Sequence, residues 1–239
     1  MKIVKGIYLP DSDTHFEYHL MNGPEFQSKG TYQFKKISKA LKAIDKDPTV
    51  GYGIAIDVGA HVGLWSRVLS HYFKTVHAFE PVKEFRDCLF QNVTDTPNLV
   101  KIYDLAVAEV SGEIRTLNII EDNTGQTHLR PKDKEGVINT SEHPLTSTVA
   151  LDDIDFGGRV DFIKIDVEGY ELNVLEGARR LLTDDHPMVV LEQKGGNAER
   201  YGLTQHAALD YLKQLGYESV WESSGDHCVK YNKRREPKA

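Results

Sequence analysis

Residues 54–73 read IAIDVGAHVGLWSRVLSHYF. A short apolar run ends at Asp57, glycines follow at Gly59 and Gly63, and an apolar-periodic helix pattern begins at once. Strand, glycine loop and helix in this order bring backbone close to a ligand at the start of the helix. The loop excludes two common ligands. A GxxxxGK[ST] phosphate loop needs a lysine and a hydroxyl after its second glycine, and Leu64 and Trp65 stand there. A dinucleotide fingerprint needs a middle glycine, and here His61 would crowd a pyrophosphate.

The next apolar run, TVHAFEP, ends in Glu80 and Pro81. A carboxylate at the tip of a second strand accepts hydrogen bonds from both ribose hydroxyls of a nucleoside. The site thus offers a ribose hook and a tight turn without a phosphate grip. An adenosine that carries a cation suits it, and S-adenosylmethionine is such a ligand, with Asp57 matched to its positive end. The plainer alternative is that the glycines only pack a helix on a sheet and Glu80 is a solvated strand end.

From Gly53 onward strand and helix patterns alternate: IAIDV, GLWSRVLSHYF, TVHAFEP, VKEFRDCLFQNV, NLVKIYDLAV, then VDFIKIDVEG, YELNVLEGARRLL, PMVVLEQ and LTQHAALDYLKQLGY. That order predicts βαβ units and a doubly wound, mostly parallel sheet with right-handed crossovers. YESVWES and DHCVKYN predict a closing antiparallel hairpin. Residues 1–50 read as an N-terminal extension of a strand, KIVKGIYLP, and a helix with Phe34, Ile37, Leu41 and Ile44 on one face. Residues 51–232 form the main domain, and 233–239 are a basic tail. GEIRTLNII alternates like an exposed strand. The stretch from 121 to 154 lacks periodicity, and a connection that long suggests a lid over 120–148.

The 239 residues carry a net charge of −7 with both signs interspersed, which argues against nucleic acid as the main partner. Cys88 and Cys228 are far apart and in no metal-spaced pair, so two free thiols in a reducing cytosol are expected. MKIVKGIYLPDSDTHFEYHL has no apolar signal-peptide core, and nothing in the chain is long and apolar enough for a membrane span.

IAIDVGAHVGLWS, HAFEP, DLAVAEVSGEIRTLNI, STVALDDI and VDFIKIDVEGYELNVLEGARRLL with PMVVLEQ resemble the FkbM-type family of S-adenosylmethionine-dependent methyltransferases. The resemblance covers roughly residues 50–195, and KIDVEGYELNVLEGA is its most specific part. It implies a class I, Rossmann-like sheet of seven strands, S-adenosylmethionine as methyl donor, and O-methylation of a small molecule or sugar. The family's loop usually has asparagine where this chain has His61. The candidate cofactor contacts are Asp57, Gly59, Ala60, His61 and Gly63 in the loop, Glu80 and Pro81, Asp104 and Ala106 at the end of the third strand, and Asp166. The rival readings are a nucleoside-binding module without catalysis and a nicotinamide-dependent oxidoreductase.

In KIDVEGYE, Phe162, Lys164 and Asp166 share one strand face. A central parallel strand is covered on both faces, so Lys164 needs a carboxylate partner. Asp57 and Glu192 are available, and Glu192 is preferred. Asp166 sits where ligands of open α/β sheets bind. Glu168 and Glu171 also suit the first turn of a helix. Asp166, Glu168 and His61 are the candidate bases for an acceptor hydroxyl. Asp166, Glu168 and Glu192 would suit a divalent ion if they converged, but no metal is assigned. Trp65, Asn123 and His128 are further positions of interest near the loop and lid.

Overall fold

The computed structural model describes residues 1–24, 32–132 and 143–232. The expected tail, 233–239, and the middle of the expected lid, 133–142, lie outside the described residues. The chain opens on a hairpin of β1 (Lys2–Val4) and β2 (Ile7–Leu9). KIVKGIYLP is therefore two strands rather than one. The reason is the Lys5–Gly6 pair, both at positive φ, which makes the two-residue turn whose twist matches antiparallel strands. Helices α1 (His15–Asn22) and α2 (Phe34–Asp45) follow. α2 buries Ile37, Ala40, Leu41 and Ile44 against one face of the main sheet.

The main sheet has seven strands. β3 (Ile54–Val58), β4 (Thr75–Phe79) and β5 (Leu99–Tyr103) run outward from the centre on one side. They alternate in sequence with α3 (Leu64–Leu69) and α4 (Lys83–Val93). A second set comprises β10 (Val160–Ile165) and β11 (Met188–Glu192), with α5 (Glu171–Glu176) and α6 (Arg179–Asp184) between them, then α7 (Ala207–Gln214), β12 (Tyr217–Ser223) and β13 (Asp226–Tyr231). Across the sheet the order is β12, β13, β11, β10, β3, β4, β5. β3, β4, β5, β10 and β11 are mutually parallel, and β13 is antiparallel to both neighbours. Ser224 and Gly225, both at positive φ, close the expected hairpin. β10 and β11 are buried along their whole length, as the middle of a doubly covered parallel sheet requires.

Two sequence expectations are corrected here. NLVKIYDLAV is not one strand. It breaks at Asp104–Leu105, and β6 (Ala106–Val107) joins a second sheet with β7 (Ile114–Asn118), β8 (His128–Leu129) and β9 (Leu145–Val149) in the order β6, β9, β7, β8. Within the described part of the expected lid, 128–129 and 145–148 are thus short strand. Their pairing partners lie across a gap in sequence, so local periodicity is weak. YELNVLEGARRLL is two helices that break at Gly177–Ala178, where a Cβ on Gly177 would lie 2.1 Å from the Ala108 carbonyl oxygen. Cys88 and Cys228 are buried and unbridged. No described helix is long and apolar enough to cross a membrane.

Candidate functional site

The parallel strands end on one side of the sheet, and their loops converge there. The Gly59 and Ala60 N–H groups both donate to the Phe79 carbonyl, at 3.1 and 3.0 Å. The His61 N–H donates to Glu80 Oε2 at 2.9 Å. These N–H groups are spent inside the protein, which agrees with a loop that grips no phosphate. Gly59 is at φ +71°, and a Cβ there would lie 1.9 Å from the Asp166 carbonyl oxygen. It is therefore the point where the first loop touches the end of β10. Gly63, at φ +81°, faces Leu89 instead.

Two chambers meet over this loop. The smaller, about 580 Å³, is walled by Glu80, Pro81, Phe85, Leu105, Ala106, Leu117, Leu129 and Tyr170. The larger, about 1100 Å³, is lined by His15, Phe16, Ala60, Trp65, Lys164, Glu168, Glu192, Lys194 and Asn197, among others. Gly59, His61, Gly125 and Asp166 line both.

Of the sequence candidates, Gly59, Ala60, His61, Glu80, Pro81, Ala106 and Asp166 line a chamber, as do Glu168, Trp65, Asn123 and His128. Asp57, Gly63 and Asp104 line neither. Asp57 lies wholly buried beneath the loop. Its Oδ2 accepts the Ser66 hydroxyl at 2.6 Å, and its Oδ1 stands 3.5 Å from Lys164 Nζ. Asp104 points outward, 69 % exposed, and pairs with Arg86 at 2.6 Å. The partner of Lys164 is corrected too. Lys164 contacts Asp57 and Asp166, each at 3.5 Å, and donates to the Gly59 carbonyl at 3.2 Å. Burial works against its ammonium, but Asp166, Asp57 and the more distant Glu192 outweigh that and raise its pKa. The close partner of Glu192 is Lys194, at 2.7 Å. Register explains this: Lys164 pairs with Asp57 across β3 but with Val190 across β11.

The turn after β10 is strained. Glu168 has φ +56°, a conformation uncommon outside glycine. It is held by Asn197, which donates to its Oε2 at 2.6 Å, and by Arg200, which donates to its carbonyl at 3.1 Å. Gly169 follows at φ +108°, pressed against the Asn197 carbonyl. Glu171 is buried and accepts the Gly169 N–H at 2.9 Å, so it braces the turn. Asp166, Glu168 and Glu192 converge, with one carboxylate oxygen from each within 4.8 Å of the others. Lys164 and Lys194 stand beside them. Glu192 Oε2 is buried without a hydrogen-bond partner. Burial, then Asp166, pushes Glu168 up to about 7 and Glu192 up to about 8. Burial also lifts Glu80 to about 7 against the pull of the Val82 and His61 N–H groups. The site thus gathers more carboxyl groups than ammonium groups, Asp166, Glu168 and Glu192 against Lys164 and Lys194.

This excess has a pH signature. Burial likewise lifts Glu171 to about 7. Each of these four carboxyls keeps its proton in the folded chain to a higher pH than in the unfolded one. Their contribution to stability is therefore complete below the ordinary value of 4.5 and is lost as pH rises through 7 to 8. His61 and His77, lowered to about 4 by burial, act oppositely, but only up to 6.5. The unfolding temperature is expected to fall between about pH 6.5 and 8, and less steeply in Glu192→Gln. A melting temperature that climbs across this window in thermal scans contradicts the assignment.

Several site residues carry no local sequence signal. Thr124, Gly125 and Leu105 come from the turns of the second sheet, Tyr170 from the turn that leads into α5, and His15 and Phe16 from the N-terminal segment. Phe16 stacks on the His61 ring at 4.8 Å.

The methyltransferase FkbM domain matches residues 57–219. Among solved structures, the methyltransferase FkbM from Methylobacillus flagellatus KT is similar at 21% identity and a TM-score of 0.47, over 74% of this chain and 43% of its own. This chain thus spans less than half the length of that protein. N-methyltransferase NodS from Bradyrhizobium japonicum WM9, solved with S-adenosyl-L-homocysteine, is similar at 9% identity and a TM-score of 0.47, over 92% of this chain and 97% of its own. No curated protein matches the sequence. The loop and strand motifs and the matched domain coincide, and the chain belongs to the FkbM methyltransferase domain family.

Proposed function

We propose that this chain transfers a methyl group from S-adenosylmethionine to a hydroxyl of a small molecule or sugar. The observation that carries the reading is the meeting of two chambers of different chemistry at Gly59, His61 and Asp166. The apolar chamber suits adenosine. Each Glu80 oxygen accepts one backbone N–H and keeps a lone pair for a ribose hydroxyl. The polar chamber suits the cationic end of the donor, opposite Asp166, and leaves room for the acceptor. The unpartnered Glu192 oxygen and the raised acids fit a positively charged occupant. When bound, the donor supplies a methyl group on a sulfonium, already a good leaving group. The chain's own task is then mainly alignment, and orientation contributes on the order of 7–11 kcal/mol. Asp166, Glu168 and His61 are the residues within reach of an acceptor's proton. The buried free cysteines suit a reducing cytosol.

Calorimetry with S-adenosylmethionine, S-adenosylhomocysteine and NAD tests the cofactor. Binding of NAD alone would favour an oxidoreductase. Turnover of labelled donor against hydroxyl-bearing metabolites tests the reaction, and tight donor binding with no turnover on any of them would favour a sensing module. Glu80→Ala is expected to weaken donor binding by about 1.5–3 kcal/mol, the range for a hydrogen bond to a charged group. Unchanged affinity in a folded variant removes Glu80 from the ribose site. Asp166→Asn, if Asp166 orients the donor's amino end, is expected to raise the donor's dissociation constant about 10- to 100-fold. Normal affinity with turnover down about a hundredfold would make Asp166 the base instead.

A further inference from the structure

Asp13 precedes α1, outside the stretch matched by the FkbM domain, yet it is fully buried. Its Oδ1 accepts the Phe16 N–H at 2.6 Å. Its Oδ2 accepts the Thr124 N–H at 3.2 Å and also the Thr124 hydroxyl. The Thr124 oxygen in turn lies 2.7 Å from His61 Nε2. The direction of this chain follows from counting protons. A carboxylate that collects two backbone N–H groups is an acceptor, and a hydroxyl has one proton to give. Thr124 gives it to Asp13, so the contact with His61 closes only if Nε2 is the donor. The ring then carries its proton on Nε2 and leaves Nδ1 as the acceptor nitrogen. Phe16 stacks on the ring and Phe85 meets it edge-on, both at 4.8 Å, so its plane is fixed as well. Burial keeps the imidazole uncharged; Asp13 and Asp166 favour a charge on it, and Lys164 opposes one.

We propose that Asp13 and Thr124 are positioning residues: they fix His61 as the Nε2–H tautomer so that Nδ1 offers its lone pair, where the two chambers meet, to the hydroxyl that accepts the methyl group. The role toward the acceptor rests on the methyltransferase reading above; the relay itself does not. It also gives the N-terminal segment a part in the site.

Nitrogen-15 NMR of the full chain reads the tautomer directly, with His61→Gln assigning the signals. The ligand-free protein is expected to carry its proton on Nε2, with Nδ1 bare. Thr124→Val, nearly isosteric, is expected to lose that fixed state and populate both tautomers. Sinefungin places an ammonium-bearing carbon where the donor has its methyl sulfonium, so it offers an N–H donor at the reacting position. Its binding is expected to shift Nδ1 upfield, whereas S-adenosylhomocysteine, which lacks that donor, leaves Nδ1 in place. A ligand-free ring protonated on Nδ1, a tautomer unchanged in Thr124→Val, or an Nδ1 signal unmoved by bound sinefungin overturns the proposal. If calorimetry finds that neither analogue binds, the cofactor reading fails and the role toward the acceptor goes with it. The ligand-free tautomer still decides the relay.

Discussion

Lys164→Met is expected to cost about 3–5 kcal/mol of folding stability, the range for breaking one side of a buried ion pair. Lys164 is 6 % exposed and Asp57 is fully buried. Asp57 Oδ2 has the Ser66 hydroxyl, but Oδ1 has no hydrogen bond and depends on the Lys164 charge at 3.5 Å. Methionine fills much of the same volume, so the loss is electrostatic rather than a cavity. It leaves Asp57 with an uncompensated charge in the sheet and removes the donor to the Gly59 carbonyl. Against a total stability of about 5–15 kcal/mol this is a large fraction. Asp57→Asn in the same chain is expected to recover a good part of it, because the stranded charge is gone. Urea midpoints for the two single variants and the double variant close the cycle. A Lys164→Met midpoint close to that of the parent chain would mean that the pair is not the support described here.

Gly59→Ala is expected to destabilise the chain by about 2–5 kcal/mol, summing a left-handed backbone penalty and an overpacking penalty. The new Cβ would lie 1.9 Å from the Asp166 carbonyl oxygen, at φ +71°. Backbone cannot move aside as a flexible side chain can, so β3 and β10 must separate where the two chambers join. Gly112 supplies the control. It has φ +83° and nothing within 4 Å of where a Cβ would stand, so Gly112→Ala bears only the backbone penalty, about 1–2 kcal/mol. Thermal unfolding, at about 2–4 °C per kcal/mol for a chain of this size, separates the two. Equal shifts in both variants would show that contact with the end of β10 adds nothing.

The two variants probe features of different legibility. Gly59 stands out in the sequence because a glycine directly after an apolar run, followed by a helix pattern, has few uses. The alternation of strand and helix patterns likewise leads to a parallel sheet, and in a parallel sheet the loops after the strands must gather at one end. That is why Gly59 and His61 of the glycine loop, Glu80 and Asp166, drawn from three motifs, all line the chambers. The partner of Lys164 is not legible in the sequence, because alternation gives the face of a strand residue but not its register against two neighbours. Asp57 reads as facing the ligand for the same reason: its strand position is clear, but not that Ser66 and Lys164 claim it from below.

The sequence alone determined the alternating architecture, the glycine loop, the acidic tip of β4 and the acid-rich turn after β10, since each is written in neighbouring residues whose periodicity or turn chemistry is local. Only the tertiary structure decided that the second sheet walls the smaller chamber, that Lys164 answers Asp57 rather than Glu192, and that Asp13, Thr124 and His61 join in one hydrogen-bonded chain. Asp13 and Thr124 are 111 positions apart, and no local pattern links them. Their contact exists because the N-terminal segment and the turn after β7 are folded against the same loop, and a buried carboxylate there must find donors wherever the chain brings them.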